Sequence, residues 1–361
     1  MSLQIARVDL VQIAMPLREP FRTSNGTVDV RKLLLTKLED VDGRVVWGEC
    51  SALSTPHYLP ETIDTARTVI SSYLMPLLLS RTFTSPSEVS ALFDEFVRGH
   101  SMAKAALEMP MWALAAQCDD CSLAETIGGT RDAVEAGVAV GLQESPEALA
   151  RKVEDCLSQG YRRVKMKIAP ERDLRFIEAA TNAAGGGERI QLDANCAYTL
   201  DDSDQLKAID PYGVMMIEQP LGWNDLIDHA ELQTHLDTPV CLDESLDGPD
   251  SVRKMIALEA GRIVCLKPGR VGGFEASLRI HDQCRAKQMP LWIGGMLESG
   301  IGRAYAVALA SKSGVNLLGD LSPSARYWAQ DIVSPEWTMD ANGLVSVPRD
   351  RPGIVGCCRT R

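Results

Sequence analysis

Val164-Lys165-Met166-Lys167, Ile190-Gln191-Leu192-Asp193, Val214-Met215-Met216-Ile217-Glu218, Val240-Cys241-Leu242-Asp243 and Ile263-Val264-Cys265-Leu266-Lys267 share one pattern, a short apolar run closed by a charged residue. Working outward, Gly137-Val138-Ala139-Val140 ends at Gly141 before them. After them, Leu291-Trp292-Ile293 ends at Gly294 and Asn316-Leu317-Leu318 at Gly319. The successive spacings of these eight ends are 26, 26, 25, 25, 24, 27 and 25 residues. A helix-like stretch follows each run. Eight βα units of near-constant length are what a closed parallel barrel requires, so the predicted class is α/β, a (β/α)8-type (TIM-like) barrel. A doubly wound open sheet would stop at five or six strands and carry an early glycine-rich phosphate turn, and neither is present.

Residues 1–125 read as an α+β N-terminal capping domain. Strands are expected at Gln4–Met15, Lys32–Glu39 and Arg44–Glu49, with a turn at Asp42-Gly43. Helices are expected at Pro60–Leu79, Ser87–Phe96 and Met102–Gln117. Between the first two strands, Pro16–Val30 contains two prolines and the polar tip Thr23-Ser24-Asn25-Gly26, and reads as a long loop acting as a lid or specificity element. The barrel is expected over 126–321. The segment 322–361, with a strand-like piece at Leu344–Val347, is expected to pack back on the capping domain and complete it.

Composition excludes several classes. Of the 361 residues, 45% are hydrophobic and 24% charged, an ordinary globular balance. A formal charge of −12 opposes binding to nucleic acid or an anionic membrane. No apolar run approaches the roughly 20 residues that span a bilayer. No secretory signal is visible at the start, and a cytoplasmic location is expected. The ten cysteines lack framework spacing and read as buried thiols. Cys118 and Cys121 form a C-x-x-C that closes a helix, with no second pair to complete a zinc site, so it reads as incidental, as does Cys357-Cys358.

Five of the eight strand ends are charged, in the order Lys, Asp, Glu, Asp, Lys. In a parallel barrel these ends line the catalytic mouth. Buried charges need partners. Three acids on adjacent strands, Asp193, Glu218 and Asp243, suit a hard cation with oxygen ligands, most simply Mg²⁺, for which Mn²⁺ could substitute. None of the five histidines ends a strand, which disfavours a zinc hydrolase. Lys167 and Lys267 flank the acids and should face each other across the ion. Such a site can hold a substrate carboxylate, remove its α-proton with one lysine and stabilise the enolate with metal and the other lysine. A lysine serves as base only with its pKa drawn toward neutrality, which a second ammonium and a cation would do. Lys165 points to the same face as Lys167 and fits that task, although the pair could serve solubility alone. Asn195 could contact substrate or cap the next helix. Gly269-Arg270-Val271-Gly272-Gly273 lacks a phosphate-loop pattern and reads as a close-approach loop, and Gly294-Gly295 as a close approach or a simple turn.

The stretches Lys165-Met-Lys167, Leu192-Asp-Ala-Asn195, Ile217-Glu-Gln-Pro-Leu221, Leu242-Asp-Glu-Ser245, Leu266-Lys-Pro-Gly-Arg-Val-Gly-Gly273 and Gly294-Gly-Met-Leu-Glu-Ser-Gly-Ile-Gly302 resemble the enolase superfamily. The resemblance is to its muconate lactonizing enzyme subgroup, and within it to the o-succinylbenzoate synthase / N-acylamino acid racemase family. It extends to Trp47-Gly-Glu-Cys50 and covers nearly the whole chain. It implies that Asp193, Glu218 and Asp243 bind Mg²⁺ and that Lys167 is the general base. Lys267 would stabilise the enolate or act as the opposite-face base. The implied reactions are syn dehydration of a cyclohexadiene carboxylate in menaquinone biosynthesis, and racemisation of N-acylamino acids such as N-succinylamino acids. The loop around Phe21–Gly26, with Ser24, and the stretch after Cys50 would close over the substrate. Lys165, Asn195, Gly294, Gly295 and Met296 are auxiliary or substrate-binding candidates. Many relatives carry serine where this chain has Ala139, so a hydroxyl contact there is missing. The resemblance implies a small-molecule carboxylate substrate and a homo-oligomer. The alternatives are a muconate-type cycloisomerase, a dipeptide epimerase and a non-catalytic binding barrel. Epimerases carry Asp-x-Asp on the last strand, where this chain has Gly319-Asp320-Leu321-Ser322, and a binding barrel need not retain all five charged residues.

Overall fold

The computed structural model describes residues 2–24, 26–170 and 172–350. Asn25 at the polar tip and the Cys357-Cys358 pair therefore lie outside the described residues. Among the described residues thirteen strands occur in chain order. The first four are β1 (Leu3–Thr23), β2 (Gly26–Asp40), β3 (Val45–Cys50) and β4 (Thr82–Phe83), followed by β5 (Ala133–Glu135) and β6 (Val138–Val140). Then come β7 (Val164–Lys167), β8 (Ile190–Asp193), β9 (Ile217–Glu218), β10 (Val240–Leu242), β11 (Ile263–Leu266), β12 (Leu291–Ile293) and β13 (Leu344–Ser346).

β3, β2, β1 and β4 form an antiparallel sheet in that order. The helix Ser101–Cys118 packs on it and is buried on nearly every face. Pro110 within that helix cannot donate to the Ala106 carbonyl one turn back. The Thr36 hydroxyl on β2 donates to that carbonyl instead, at 2.5 Å. Gly48 on β3 permits this contact, because a Cβ there would lie 2.3 Å from the same oxygen. The helical run predicted at 60–79 is present from Ile63 to Leu79, with a π turn at Ile70–Leu74. Pro76, lacking an N–H, accounts for that wider turn.

The expected loop Pro16–Val30 is instead a two-stranded arm. β1 and β2 pair from Ile5↔Asp40 to Pro16↔Val30, shift register, and pair again from Phe21↔Val28 to Thr23↔Gly26. The two prolines interrupt the ladder where their N–H groups are missing, but the extended backbone they favour carries the strand onward.

β6 to β12 form one parallel sheet in sequential order, seven strands of the expected barrel. The eighth run, Asn316–Leu318, closes the barrel without forming a regular strand. The Leu317 and Asp320 amides donate to the Leu291 and Ile293 carbonyls at 3.3 and 2.9 Å, and the Gly137 amide donates to the Gly319 carbonyl at 2.7 Å. The Asn316 side chain accepts the Leu291 amide at 3.0 Å, taking a bond that a regular ladder would have used. Met216, Cys241, Ile263, Cys265 and Trp292 fill the barrel floor. The tail contacts both domains. β13 pairs antiparallel with β5 at the barrel's entry, and the segment meets the N-terminal sheet at Arg18 N to Tyr327 O, 2.9 Å, and Arg326 to Glu19, 3.7 Å.

Candidate active site

The register of the parallel ladder delivers the site. Lys167 pairs with Asp193 and Asp193 with Glu218 across β7, β8 and β9, and Asp243 and Lys267 follow directly on β10 and β11. All five side chains are buried. Lys167, Asp193 and Lys267 line a cavity of about 340 Å³ whose walls also include Phe21, Leu53, Tyr58, Met296, Leu297 and Tyr327, and Glu218 and Asp243 reach it through their contacts with its lining residues Lys165 and Lys267.

The acids divide between two flanks. Asp193 Oδ2 accepts from Lys167 Nζ at 2.7 Å and lies 3.3 Å from Lys165 Nζ, which is also 3.2 Å from Glu218 Oε2. Asp243 Oδ2 accepts from Lys267 Nζ at 2.8 Å, and its Oδ1 accepts from Arg270 at 2.6 Å. Between the flanks, Glu218 Oε2 accepts from Gln191 at 2.7 Å, while its Oε1 is buried without a hydrogen-bond partner among the described residues. An orphaned carboxylate oxygen in a dry site asks for a cation. Glu218 and Asp243 offer oxygens, and Cys265 a sulfur, all within 4.8 Å of one another. Glu218 and Asp243 thus bring two carboxylates together beside an orphaned oxygen, a donor set that fits a hard divalent ion, while Asp193 outside that cluster is held by Lys167 and Lys165.

The electrostatics follow from this crowding. Burial, reinforced by the Asp193 charge, pushes the Glu218 carboxyl up to about 7. Burial also works against ionised Asp193 and Asp243, but the Lys167 and Lys165 ammoniums outweigh it for Asp193, and Arg270 and Lys267 for Asp243. Both carboxyls are held below their usual range. Burial works to neutralise Lys165 and Lys267, yet Asp320 beside the first and Asp243 beside the second hold both ammoniums well above the usual lysine value.

The auxiliary candidates separate in space. Asn195, left open between substrate contact and helix cap, stands in the site with φ 45°, accepts from Lys167 Nζ at 2.6 Å and donates to Glu244 at 3.2 Å. Phe21 lies over Lys167, with 5.9 Å from Nζ to the ring centre. Ser24 donates to the Ala194 carbonyl at 3.1 Å, so it ties the arm to the barrel and lines an outer cleft rather than the central cavity. Gly294 serves the lysine itself, since a Cβ there would fall 2.7 Å from Lys267 Cε. Gly295 and Met296 line the cavity.

Several residues escape the sequence reading. Tyr58 bridges the flanking groups, donating to Asp243 Oδ2 and accepting from Lys267 Nζ, both at 3.0 Å. It comes from the capping domain, outside any periodic signal. Gln191 and Cys265 each lie two residues before a strand-end charge, so strand alternation places them on the inward face. Glu244, buried beside the site, follows Asp243 directly and is pushed well up by burial and by the Asp243 charge. Arg270 lies in the loop read only as a close approach.

Residues 5–128 match the family described as mandelate racemase / muconate lactonizing enzyme, N-terminal domain, and residues 148–355 match enolase C-terminal domain-like. The chain is 42% identical over 352 residues to o-succinylbenzoate synthase of Bacillus subtilis (strain 168), covering 98% of this chain and 94% of that protein. It is also 42% identical over 333 residues to N-succinylamino acid racemase of an Amycolatopsis species, covering 92% and 90%. Among solved structures, an enolase-superfamily member from Listeria innocua Clip11262 superposes with a TM-score of 0.93 at 37% identity, over 97% of this chain and 94% of that one. Enolase-superfamily enzymes use a divalent metal. No helix among the described residues is long and apolar enough to cross a membrane. With both halves of the chain matched and full-length relatives well above 30% identity, the chain belongs to the mandelate racemase / muconate lactonizing enzyme family of the enolase superfamily.

Proposed function

We propose that this chain removes the proton α to a substrate carboxylate, acting as an o-succinylbenzoate synthase and as an N-succinylamino acid racemase. The observation that carries the reading is the placement of Lys167 and Lys267 on opposite flanks of Asp193, Glu218 and Asp243, at the floor of one cavity. Asp193, Glu218 and Asp243 would hold Mg²⁺, with Mn²⁺ as a substitute. When bound, the ion supplies positive charge to the substrate carboxylate and so lowers the cost of the enolate.

The protein's own groups do the rest. In racemisation, one lysine as the neutral amine takes the α-proton and the electron pair moves into the carboxylate. The opposite ammonium then returns a proton to the other face of the carbon. In dehydration, Lys167 takes the proton and passes it to the hydroxyl departing from the same face, releasing water. Lys267 remains an ammonium and faces the enolate charge. The Asp243 and Tyr58 contacts suit Lys267 to that role, because they favour its charged form. Phe21, Leu53, Met296 and Leu297 offer an apolar wall to the acyl part of the substrate and exclude water from the enolate.

The test is a side-by-side assay of the cyclohexadiene carboxylate and of N-succinylamino acids with Mg²⁺, together with wash-in of solvent deuterium at the α-carbon. Turnover of at least one substrate with α-deuteration is expected. Absence of both turnover and exchange in the metal-loaded protein would overturn the reading.

A further inference from the structure

We propose that Asp320 is a positioning residue, which anchors the Lys165 ammonium so that Asp193 and Glu218 can take a cation while Lys165 stays fixed beside Lys167. The inference rests on the reading of the two-lysine site above and adds a residue outside it.

Lys165 Nζ has three carboxylate neighbours, and the nearest is Asp320 Oδ2 at 2.7 Å, ahead of Glu218 at 3.2 Å and Asp193 at 3.3 Å. A cation on Asp193 and Glu218 competes with Lys165 for the same oxygens. Buried and without another acid, that ammonium would have to remain in the metal's place or lose its proton. Asp320 is the one of its three partners that the metal does not need.

The position of Asp320 is built, not incidental. The residue is 3% exposed and lines the cavity. Its amide donates to the Ile293 carbonyl at 2.9 Å, and its carbonyl accepts from Arg303. Its second carboxylate oxygen accepts from Arg163 at 2.7 Å, and that guanidinium also donates to the Leu318 carbonyl at 2.8 Å. Trp292 forms a floor beneath both cations, with Lys165 Nζ 4.9 Å and the Arg163 guanidinium 5.1 Å from its ring centre. Gly137 makes room, since a Cβ there would lie 2.5 Å from the guanidinium. The carboxylate thus has its backbone pinned and one oxygen committed to Arg163, and it presents the other oxygen to Lys165. Lys165 and Lys167 lie two residues apart on one strand and share a face. Fixing the first therefore acts most directly on the second, which shares Asp193 with it, and only across the acids on the Lys267 flank.

Two measurements on the full chain test this: the Mg²⁺ dissociation constant by titration calorimetry, and α-deuterium wash-in from each enantiomer of one N-succinylamino acid. The Lys167→Ala variant identifies which enantiomer presents its α-hydrogen to Lys167. Asp320→Asn, and the charge-balanced Asp320→Asn/Arg163→Gln variant in case the first leaves too much unpaired charge to fold, should each weaken Mg²⁺ binding about 10-fold or more, the scale of losing an outer partner of a metal site. Wash-in from the Lys167-facing enantiomer should fall about 10-fold further than wash-in from the other. A folded double variant with the wild-type Mg²⁺ affinity, or with both enantiomers slowed equally, would overturn the proposal. If wild-type protein exchanged neither enantiomer, the functional reading would fail, while the Mg²⁺ titration would still decide whether Asp320 keeps Lys165 out of the cation's place.

Discussion

Lys167 and Lys267 are the same residue type at the ends of strands in the same barrel, each bonded to an aspartate, yet their remaining partners differ. Lys267 is enclosed by an acid, a tyrosine hydroxyl and a second cation. Asp243 is 2.8 Å away, Tyr58 descends from the capping domain, and Arg270 fixes the far oxygen of the same acid. Lys167 shares its acid, Asp193, with a second ammonium, and its other bond goes to the neutral oxygen of Asn195. Each acid thus serves a second cation, Arg270 on one flank and Lys165 on the other, and the flanks differ in the third partner, a tyrosine hydroxyl beside Lys267 and an amide oxygen beside Lys167. A hydroxyl can donate to one neighbour while accepting from another, as Tyr58 does between Asp243 and Lys267, whereas the amide oxygen of Asn195 only accepts, so the two lysines are held by different chemistry.

Deletion of either lysine puts the largest strain on this contrast. Lys167→Ala and Lys267→Ala should each lower racemase turnover by about 10²–10⁴-fold, the usual scale of a positioned acid or base, with far-ultraviolet circular dichroism unchanged. The informative readout is one-sided exchange, in which each variant retains deuterium wash-in from the enantiomer facing the surviving lysine. Loss of exchange from both enantiomers in either variant would erase the difference between the flanks. A smaller effect is expected for Tyr58→Phe. It removes the hydroxyl shared by Asp243 and Lys267 and leaves the ring, so turnover should drop about 10-fold, with wash-in on the Lys167 face the less affected. Asn195→Ala should show the mirror image, losing the acceptor at 2.6 Å from Lys167 and slowing wash-in on that face alone. If both substitutions slowed both faces equally, the two flanks would be acting as one unit.

The contrast also explains which parts were legible beforehand. The barrel and its five strand-end charges follow from a period near 25 residues and from side-chain alternation, both of which are local and repetitive. Residues such as Gln191 and Cys265 obey the same alternation and were readable in principle. Tyr58 and Asp320 were not. The first reaches the site only through docking of the capping domain, and the second through an irregular closure where the Asn316 side chain replaces a ladder bond. The Pro16–Val30 arm was misread for a related reason. Proline removes hydrogen bonds without forbidding an extended chain, so composition pointed to a loop where pairing resumes beyond the irregularity.

The seam between the two domains offers the mildest test, because it holds a buried acid that serves docking rather than chemistry. Glu49, at the end of β3, accepts from the Ser299 hydroxyl and from the Ser299 and Gly302 amides at the start of the helix Gly300–Ala310. Burial, opposed by Ser299 and reinforced by neighbouring Glu298, pushes its carboxyl up to about 8. The folded protein therefore keeps this proton over a range in which the unfolded chain has released it. Since stability changes with pH as the proton count of the unfolded state minus that of the folded state, Glu49 makes stability fall as pH rises from the ordinary glutamate value to about 8, with no further change above it. Glu49→Gln holds the amide in the same place without a titration. Its melting temperature should decline less than that of the wild type between pH 5 and about 8. The ratio of wash-in from the two enantiomers should stay as it is in the parent protein, because neither lysine touches Glu49. A shift in that ratio would mean that the seam reaches the flanks, and the contrast between the lysines would then belong to the domain interface as much as to their own neighbours.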